Sequence, residues 1–329
     1  MSRAEPASRG RARSTPGARR DRPKDTGLAS RGAAIALMLA TALLWSAGGV
    51  GIKTASVSPV AIAGWRSLFA VPVLGLAALA RACTDREAAR AALRSSWNWI
   101  AAVSYALMVV TFVLATKLTT AANAIFIQYT SIVHVAILSW PVLRERIGWR
   151  EGVACAGVLI GLSMFFGDHL AMASGRAQSG NALAFVSSLG AATVVLAIRR
   201  GLRVPGGGIS TSALSPAIVF AMGNALTLVF SSPAMFGSVP RDGQTWALLA
   251  ALGSMQVGVS YLLYGIAVSR LTALESSLAS TLDPILNPVW VLLATGERPS
   301  STAVVGGAFV VGSVVLLAAP LGSPAPPLD

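Results

Sequence analysis

The chain alternates long apolar segments with short polar connections. Ten apolar windows reach or approach the roughly 20 residues that cross a bilayer core. They lie at about 33–53, 59–80, 97–116, 121–143, 151–167, 181–198, 213–232, 245–268, 273–295 and 302–320. The pattern predicts an all-α membrane protein with ten transmembrane helices.

One part of this pattern occurs twice. Residues 121–146 and 274–298 each run through an apolar segment into an acid-base pair, Glu145-Arg146 in the first copy and Glu297-Arg298 in the second. Each copy is the fourth in a run of five segments. Because five is odd, the second run must cross the membrane in the opposite sense. The sequence therefore predicts two inverted five-helix repeats, an arrangement typical of carriers.

The repeats set the predicted domain boundaries. The first repeat covers 33–167 and the second 181–320, with a connecting loop at 168–180 and a C-terminal tail at 321–329. Residues 1–32 form a basic tail that is rich in Arg, Pro, Gly and Ser, a composition typical of disorder. This tail is either a solvated topology signal or a contact for anionic lipid headgroups.

Composition excludes a soluble domain. Hydrophobic residues make up 54% of the chain and charged residues 12%, and the mean hydropathy is +0.67. The net charge of +13 would suit nucleic acid, but nine of the 26 basic residues lie in the tail. Most other basic residues fall in alternate connections, and the positive-inside rule then places both termini in the cytoplasm. We expect a multi-pass protein of a bacterial inner membrane that binds no nucleic acid.

Several local motifs resemble those of the drug/metabolite transporter superfamily, and specifically its ten-helix EamA-type branch. The motifs are Trp45 with Lys53, Trp65-Arg66, Lys117 followed by Ala121-Ala122-Asn123-Ala124, residues 261–271, and Asp283-Pro284. One position departs from the family. Where the family usually has a proline in the fourth segment, this chain has Ser131-Ile132, so a matching proline hinge is not expected there.

The ninth segment carries the strongest candidate site. Asp283 and Asn287 are four residues apart and share a helix face. Pro284 and Pro288 each remove a backbone donor and free the carbonyl four residues earlier, so they are candidate hinge residues. A carrier needs both polar groups and irregular backbone at membrane depth. The alternative is that Asp283 pairs with a basic neighbour and that the prolines only bend the helix.

Two other segments supply polar groups for the same site. In the fourth segment Gln128 and Tyr129 are candidates for lining a pore, and His134 is either a site residue or a hydrogen-bonded packing residue. In the eighth segment Gln256, Ser260 and Tyr264 form a stripe with Tyr261 beside it. Because a polar stripe is costly against lipid, it should face the interior of the bundle.

Trp45 and Arg66 complete the candidate substrate-binding set. Trp45 would either cap the cavity or anchor its segment at the membrane interface. Arg66 would pair with Glu275, extend to the outer headgroups, or bind a substrate carboxylate. The sequence shows no metal cluster, no cofactor motif and no catalytic residues, so we expect neither a metal nor a cofactor.

The resemblance and the polar segments together predict a secondary active transporter. Its substrate is a small polar metabolite such as an amino acid, moved by alternating access, with export favoured by analogy and proton coupling as a hypothesis based on Asp283. The alternatives are an intramembrane enzyme or sensor without transport, and an uncoupled facilitator. The predicted partners are the solute, protons and the lipid bilayer, and the protein is a monomer or a homodimer.

Overall fold

The computed structural model describes residues 27–119, 121–166, 175–203, 214–286 and 301–318. These residues form helices, which we number in chain order. The first repeat contains α1 (Gly27–Ser46), α2 (Gly48–Thr54), α3 (Pro59–Thr84), α4 (Arg86–Arg94), α5 (Ser96–Leu118), α6 (Ala121–Tyr129), α7 (Ser131–Leu143) and α8 (Trp149–Phe166). The second contains α9 (Gly175–Gly201), α10 (Leu214–Gly237), α11 (Gly243–Ala251), a π-helical stretch (Leu252–Val259), α12 (Ser260–Val268), α13 (Ala273–Ser280) and α14 (Ser301–Ala318).

All ten predicted segments fall on helices wherever the structure describes them. Six helical spans are long and apolar enough to cross a membrane by length and composition: Pro59–Thr84, Ser96–Leu118, Asn123–Leu143, Gly175–Gly201, Ser215–Gly237 and Gly243–Val268. Three boundaries differ from the sequence prediction. Helix α1 begins inside the predicted tail, α9 begins inside the predicted connecting loop, and α4 was not predicted.

Contacts between the repeats follow a two-fold pattern. Helix α3 packs on α10, α7 on α13 and α8 on α14, so corresponding segments of the two repeats meet. Helix α1 packs on α12, and the equivalent exchanged pair, α9 on α5, is in contact as well. Buried residues of both repeats form one continuous apolar cluster, which includes Met38, Leu74, Ile132, Phe220 and Leu278. The two repeats therefore share one core.

Small residues allow the closest of these approaches. A Cβ atom added to Gly161 of α8 would lie 2.6 Å from the carbonyl oxygen of Gly306 in α14. Gly157 faces Ser313 in the same way, whereas Gly312 faces open space. Backbones can approach this closely only where side chains are absent, as is common between membrane helices.

Both copies of the duplicated segment are interrupted in the middle. Helix α6 ends at Tyr129 and α7 begins at Ser131, while α13 ends at Ser280 and a helical turn covers 282–286. The Thr130 hydroxyl donates to the carbonyl of Ile127 at 2.6 Å, and the Thr281 hydroxyl donates to that of Leu278 at 2.6 Å. Such bonds to the preceding turn bend a helix. The first copy is therefore interrupted at a threonine, without the proline that the second copy carries.

Candidate functional site

A cavity of about 150 Å³ lies between the two repeats. Its polar and aromatic lining from the first repeat is Trp45, Ser46, Arg66, Tyr105, Gln128, Tyr129 and Ser131, and from the second repeat Gln256, Tyr261, Tyr264, Ser277, Ser280 and Asp283. Cavities of this size hold a molecule as large as benzene. The cavity can therefore enclose a small organic solute that contacts both repeats at once.

Asp283 faces the cavity at the interruption of the second copy. The Tyr129 hydroxyl lies 2.8 Å from Oδ2 of Asp283 and 3.0 Å from the carbonyl oxygen of Ser280, so it donates into both acceptors. The Ser280 carbonyl is the one that Pro284 deprives of its helical donor. Tyr129 is the last residue of α6, where the first copy is interrupted. The two interruptions therefore meet through one tyrosine.

Arg66 lies in the same cavity, on α3. Its Nη2 donates to Oε1 of Gln256 at 2.5 Å, and its side chain is 6% exposed. The Gln256 amide also approaches the carbonyl of Trp45 at 3.5 Å, and the Trp45 indole donates to the Ser260 hydroxyl at 2.8 Å. This hydrogen-bonded series crosses from the first repeat to the second along one wall of the cavity.

The π-helical stretch positions Gln256. An extra residue per turn widens the helix, a feature often found at functional sites. Close approach needs glycine on both sides: a Cβ atom at Gly48 would lie 2.5 Å from Nε2 of Gln256, and one at Gly253 would lie 2.6 Å from Cβ of Phe69. These glycines bring the widened turn against α2 and α3, which places the Gln256 amide beside Arg66.

Aromatic rings form another wall. Tyr261 packs at 5.1 Å from Trp45, 4.9 Å from Tyr105 and 4.7 Å from Phe220, measured between ring centroids. The Tyr105 hydroxyl accepts from the Asn224 amide at 3.2 Å, and Asn224 in turn accepts from the Ser67 hydroxyl at 3.0 Å. Because tyrosine combines an apolar ring with a polar tip, such a wall can pack on a hydrocarbon group and still bond a polar one.

The structure brings together most of the predicted site residues. The cavity is lined by Trp45, Arg66, Gln128, Tyr129, Gln256, Tyr261, Tyr264 and Asp283. Gln128 also donates to the Ser187 hydroxyl at 3.0 Å. Pro284 is buried in the helical turn behind Asp283. Asn287 and Pro288 lie outside the described residues, so their predicted roles stay predictions.

His134 is placed differently from the other candidates. It is absent from the lining of the cavity. Its Nδ1 lies 3.0 Å from the Ser188 hydroxyl, and its ring packs edge-on against Phe185 at 5.4 Å. Of the two roles that the sequence allowed, the contacts match the hydrogen-bonded packing residue.

Arg66 also makes contacts that the sequence did not predict. The Arg66–Glu275 pair is not formed, because Glu275 pairs with Arg31 at 2.6 Å while Arg66 contacts Gln256. Arg66 does not extend to the headgroups either, since its side chain is buried against the cavity. The remaining one of the three predicted roles is contact with a substrate carboxylate.

Sequence reasoning missed four polar residues of the lining, namely Tyr105, Ser131, Ser277 and Ser280. Tyr105 had a usable signal. The chain has four tyrosines, and all of them line this cavity, so tyrosine usage alone would have indicated it. The serines had none, because serine is common at helix packing positions throughout the chain.

Comparison with known proteins now decides the family. The sequence model described as the EamA-like transporter family matches residues 32–167 and 178–319, which together make up most of the chain. The chain belongs to this family. The two matched ranges correspond to the two repeats, so this EamA-like protein has a two-repeat architecture and is a multi-pass membrane transporter of the drug/metabolite type.

The fold is shared with solved structures. One of them, titled "Crystal structure of protein", has a TM-score of 0.70 and 21% sequence identity over 86% of this chain and 96% of the other. At this identity the similarity concerns the fold of the EamA-like chain alone. No curated protein shows significant similarity to it.

Proposed function

We propose that this protein is a secondary carrier that moves a small polar metabolite, such as an amino acid, by alternating access between its two repeats. The observation that carries the proposal is the shared cavity, in which Asp283 lies where both copies of the duplicated segment are interrupted. A carrier must expose one site alternately to two sides, and interrupted helices on both repeats let the halves move around a fixed site.

The proposed topology supports this mechanism. Ten spans arranged as inverted repeats would place equivalent interruptions on both sides of the cavity, and the two-fold contact pattern between the repeats is the one that such an arrangement produces. The basic tail and the arginine-rich connections support cytoplasmic termini in a bacterial inner membrane. Export is the direction that we propose, on the basis of the resemblance.

Proton coupling is the second part of the proposal. Asp283 has a tyrosine hydroxyl as its hydrogen-bond partner, and among the described residues no arginine or lysine forms an ion pair with it. An isolated carboxylate at membrane depth costs roughly 2.5 to 3.5 kcal/mol on insertion scales, so it gains by binding a proton or a solute cation. Exchange of one for the other at Asp283 would couple solute movement to a proton gradient.

The alternative of an intramembrane enzyme or sensor has less support. An enzyme would need a second reactive group beside Asp283, and the sequence offers His134 for this role. His134 contacts Ser188 and Phe185 instead of lining the cavity. Membership of a transporter family also favours a carrier.

Flux in liposomes tests the proposal. Purified protein is first screened against metabolites by thermal shift, and the solutes that stabilise it are then measured for saturable flux with and without a pH gradient. We expect Asp283→Ala to abolish flux and Asp283→Asn to abolish its dependence on the pH gradient. Asp85→Asn, which changes an exposed acid outside the spans, serves as the control and should retain both.

Two results would contradict the proposal in different ways. Absence of saturable flux for every solute that binds would favour the sensor or enzyme. Flux that keeps its pH dependence in Asp283→Asn would remove the proton from the mechanism, and flux without any gradient coupling would identify a facilitator.

A further inference from the structure

We propose that the cavity binds a zwitterionic solute, with the anionic group of the solute at Arg66 and its cationic group at Asp283. The proposal rests on the carrier function and adds the charge pattern of the substrate. It follows from two charged side chains of opposite sign that face one cavity without an ion pair to satisfy either of them.

Arg66 has unused hydrogen-bonding capacity. Its Nη2 donates to a neutral amide, that of Gln256, and its buried Nε has no hydrogen-bond partner among the described residues. A guanidinium carries N–H donors in a fixed fork that matches a carboxylate. Burying such a cation without an anion is costly, so a solute carboxylate at this place would stabilise the site.

Asp283 is the counterpart. Its carboxylate accepts from the Tyr129 hydroxyl, which is a neutral donor, and the described residues provide no cation within ion-pair distance. An ammonium group can donate several hydrogen bonds at once. A solute ammonium could therefore bond the free acceptor positions of Asp283 together with the hydroxyl groups that line this part of the cavity.

Other buried charges in this protein do find partners. Arg199 pairs with Glu145 at 2.8 Å, and Arg31 pairs with Glu275 at 2.6 Å. Arg66 and Asp283 line the same cavity of about 150 Å³, yet no ion pair joins them. A solute with both charges would neutralise both side chains, whereas a solute with one charge would leave the other side chain unpaired. Selection for a zwitterion then follows from the cost of the unpaired group.

The walls between the two charges add a size limit. Val109, Phe112 and Ile125 supply apolar contact, and the volume suits a solute of roughly ten non-hydrogen atoms. The standard amino acids with apolar side chains fit both the charge pattern and the size.

Matched solutes test the charge pattern directly. Thermal shift on the full-length protein in detergent is measured with the standard amino acids, and binders are compared with their α-carboxamides, which keep only the cation, and their N-acetyl derivatives, which keep only the anion. We expect the amino acid to bind at least about tenfold more tightly than either derivative. A derivative that binds as tightly as the parent, or binding by no amino acid at all, would overturn the assignment.

Two variants then separate the charges. In Arg66→Gln the preference for the amino acid over its carboxamide should fall at least about tenfold while affinity for the carboxamide is kept. In Asp283→Asn the preference over the N-acetyl derivative should fall in the same way. Arg66→Lys keeps the cation and should keep part of the preference, while Arg86→Gln, exposed on α4, controls for net charge. Equal weakening of amino acid and carboxamide in Arg66→Gln would assign Arg66 a structural role instead.

The outcome is separable from that of the proposed function. Saturable flux of solutes with a single charge, together with no binding of amino acids, would retain the carrier and reject the zwitterion. Binding of amino acids with the expected preferences but no flux would retain the site and reject the carrier.

Discussion

The two ends of the helix bundle join the repeats by different chemistry. At one end, Arg31 at the beginning of α1 pairs with Glu275 in α13, and Arg199 near the end of α9 pairs with Glu145 after α7. The backbone N–H of Ala273 also donates to Glu145 at 3.4 Å. Both ion pairs connect the first repeat to the second. We call this the basic end.

At the opposite end the repeats meet through neutral groups. The indole of Trp65 donates to the carbonyl of Ser238 at 3.2 Å, and the Ser238 hydroxyl accepts from the backbone of Ser58 at 2.8 Å. The hydroxyls of Ser56 and Thr245 are 3.2 Å apart. These contacts between α3 or its preceding turn and the α10–α11 region involve no charged side chain.

The cavity lies toward the end with neutral contacts. Trp45 is near the end of α1, Phe112 is in the second half of α5, and Ile125 is near the beginning of α6. Between the cavity and the basic end, Met38, Leu143 and Leu271 are fully buried. Because a broken buried ion pair leaves charges without partners and a broken neutral hydrogen bond costs less, the neutral end should separate more readily.

The largest effect is expected from removal of Glu145. Arg199 is 5% exposed, so Glu145→Ala would leave its charge buried without its partner and would also remove the acceptor of Ala273 N–H. We expect a loss of about 2 to 3 kcal/mol, less than for a fully buried pair because Glu145 is 20% exposed. The apparent melting temperature in detergent, measured by intrinsic fluorescence, should fall by several degrees.

A double variant checks the cause of this loss. In Glu145→Leu with Arg199→Met both charges are absent, and apolar groups of similar volume often replace a buried pair without loss. The double variant should therefore be more stable than Glu145→Ala. If both variants are equally unstable, the buried charge is not the reason, and the contrast between the two ends loses its basis.

A smaller effect is expected at the second ion pair. Arg31 and Glu275 are 23% and 13% exposed, so solvent screens the pair and Glu275→Gln should cost about 0.5 to 1 kcal/mol. Glutamine can still accept from the backbone N–H of Thr272, as Glu275 does at 2.8 Å, which keeps the helix cap and isolates the charge effect.

Cysteine labelling reports whether this pair also keeps the basic end closed. In a background with Cys83→Ser and Cys155→Ser, a cysteine at Ser277, buried beside the cavity on α13, should react slowly with a maleimide. Glu275→Gln should increase the labelling rate. An unchanged rate in Glu275→Gln, alongside an increased rate in Glu145→Ala, would assign closure to Glu145 alone.

The helical framework was readable from hydropathy because lipid-facing helices must be apolar along their whole length. The basic end was less readable. Arg31 lies in a segment whose composition resembles the tail before it, and its partner Glu275 is 244 positions away. Likewise Glu145 pairs with Arg199 and not with its neighbour Arg146, which packs over Trp140 at 5.2 Å. Long-range pairing of charges depends on packing that a local pattern does not contain.

At the candidate site the sequence revealed residue types better than their orientation. Buried polar groups such as Asp283 and Gln256 are visible because they are costly among apolar residues. The interruption at Thr130 was missed, since proline announces a break and threonine does not. That interruption changes the direction of α7, which carries His134 to Ser188, away from the cavity. A face assigned from uninterrupted helical spacing is therefore correct only as far as the break.

The smallest effect is expected at the neutral end, at an exposed acid. Asp242 caps α11, and the backbone N–H of Thr245, followed by the Thr245 hydroxyl, holds the pKa of its carboxyl below the usual value. A carboxyl with a lowered pKa stabilises the folded state above its unfolded pKa, and this contribution disappears as the pH falls through the folded pKa. Asp242→Ala should therefore lower the melting temperature slightly at pH 7, with the difference from the parent vanishing below about pH 3. Asp242→Asn retains a cap that does not titrate, so its melting temperature should show no such trend. Since Thr245 also contacts Ser56 of the first repeat, a pH-independent loss in Asp242→Ala would mean that its effect comes from contact between the repeats and not from the charge of the cap.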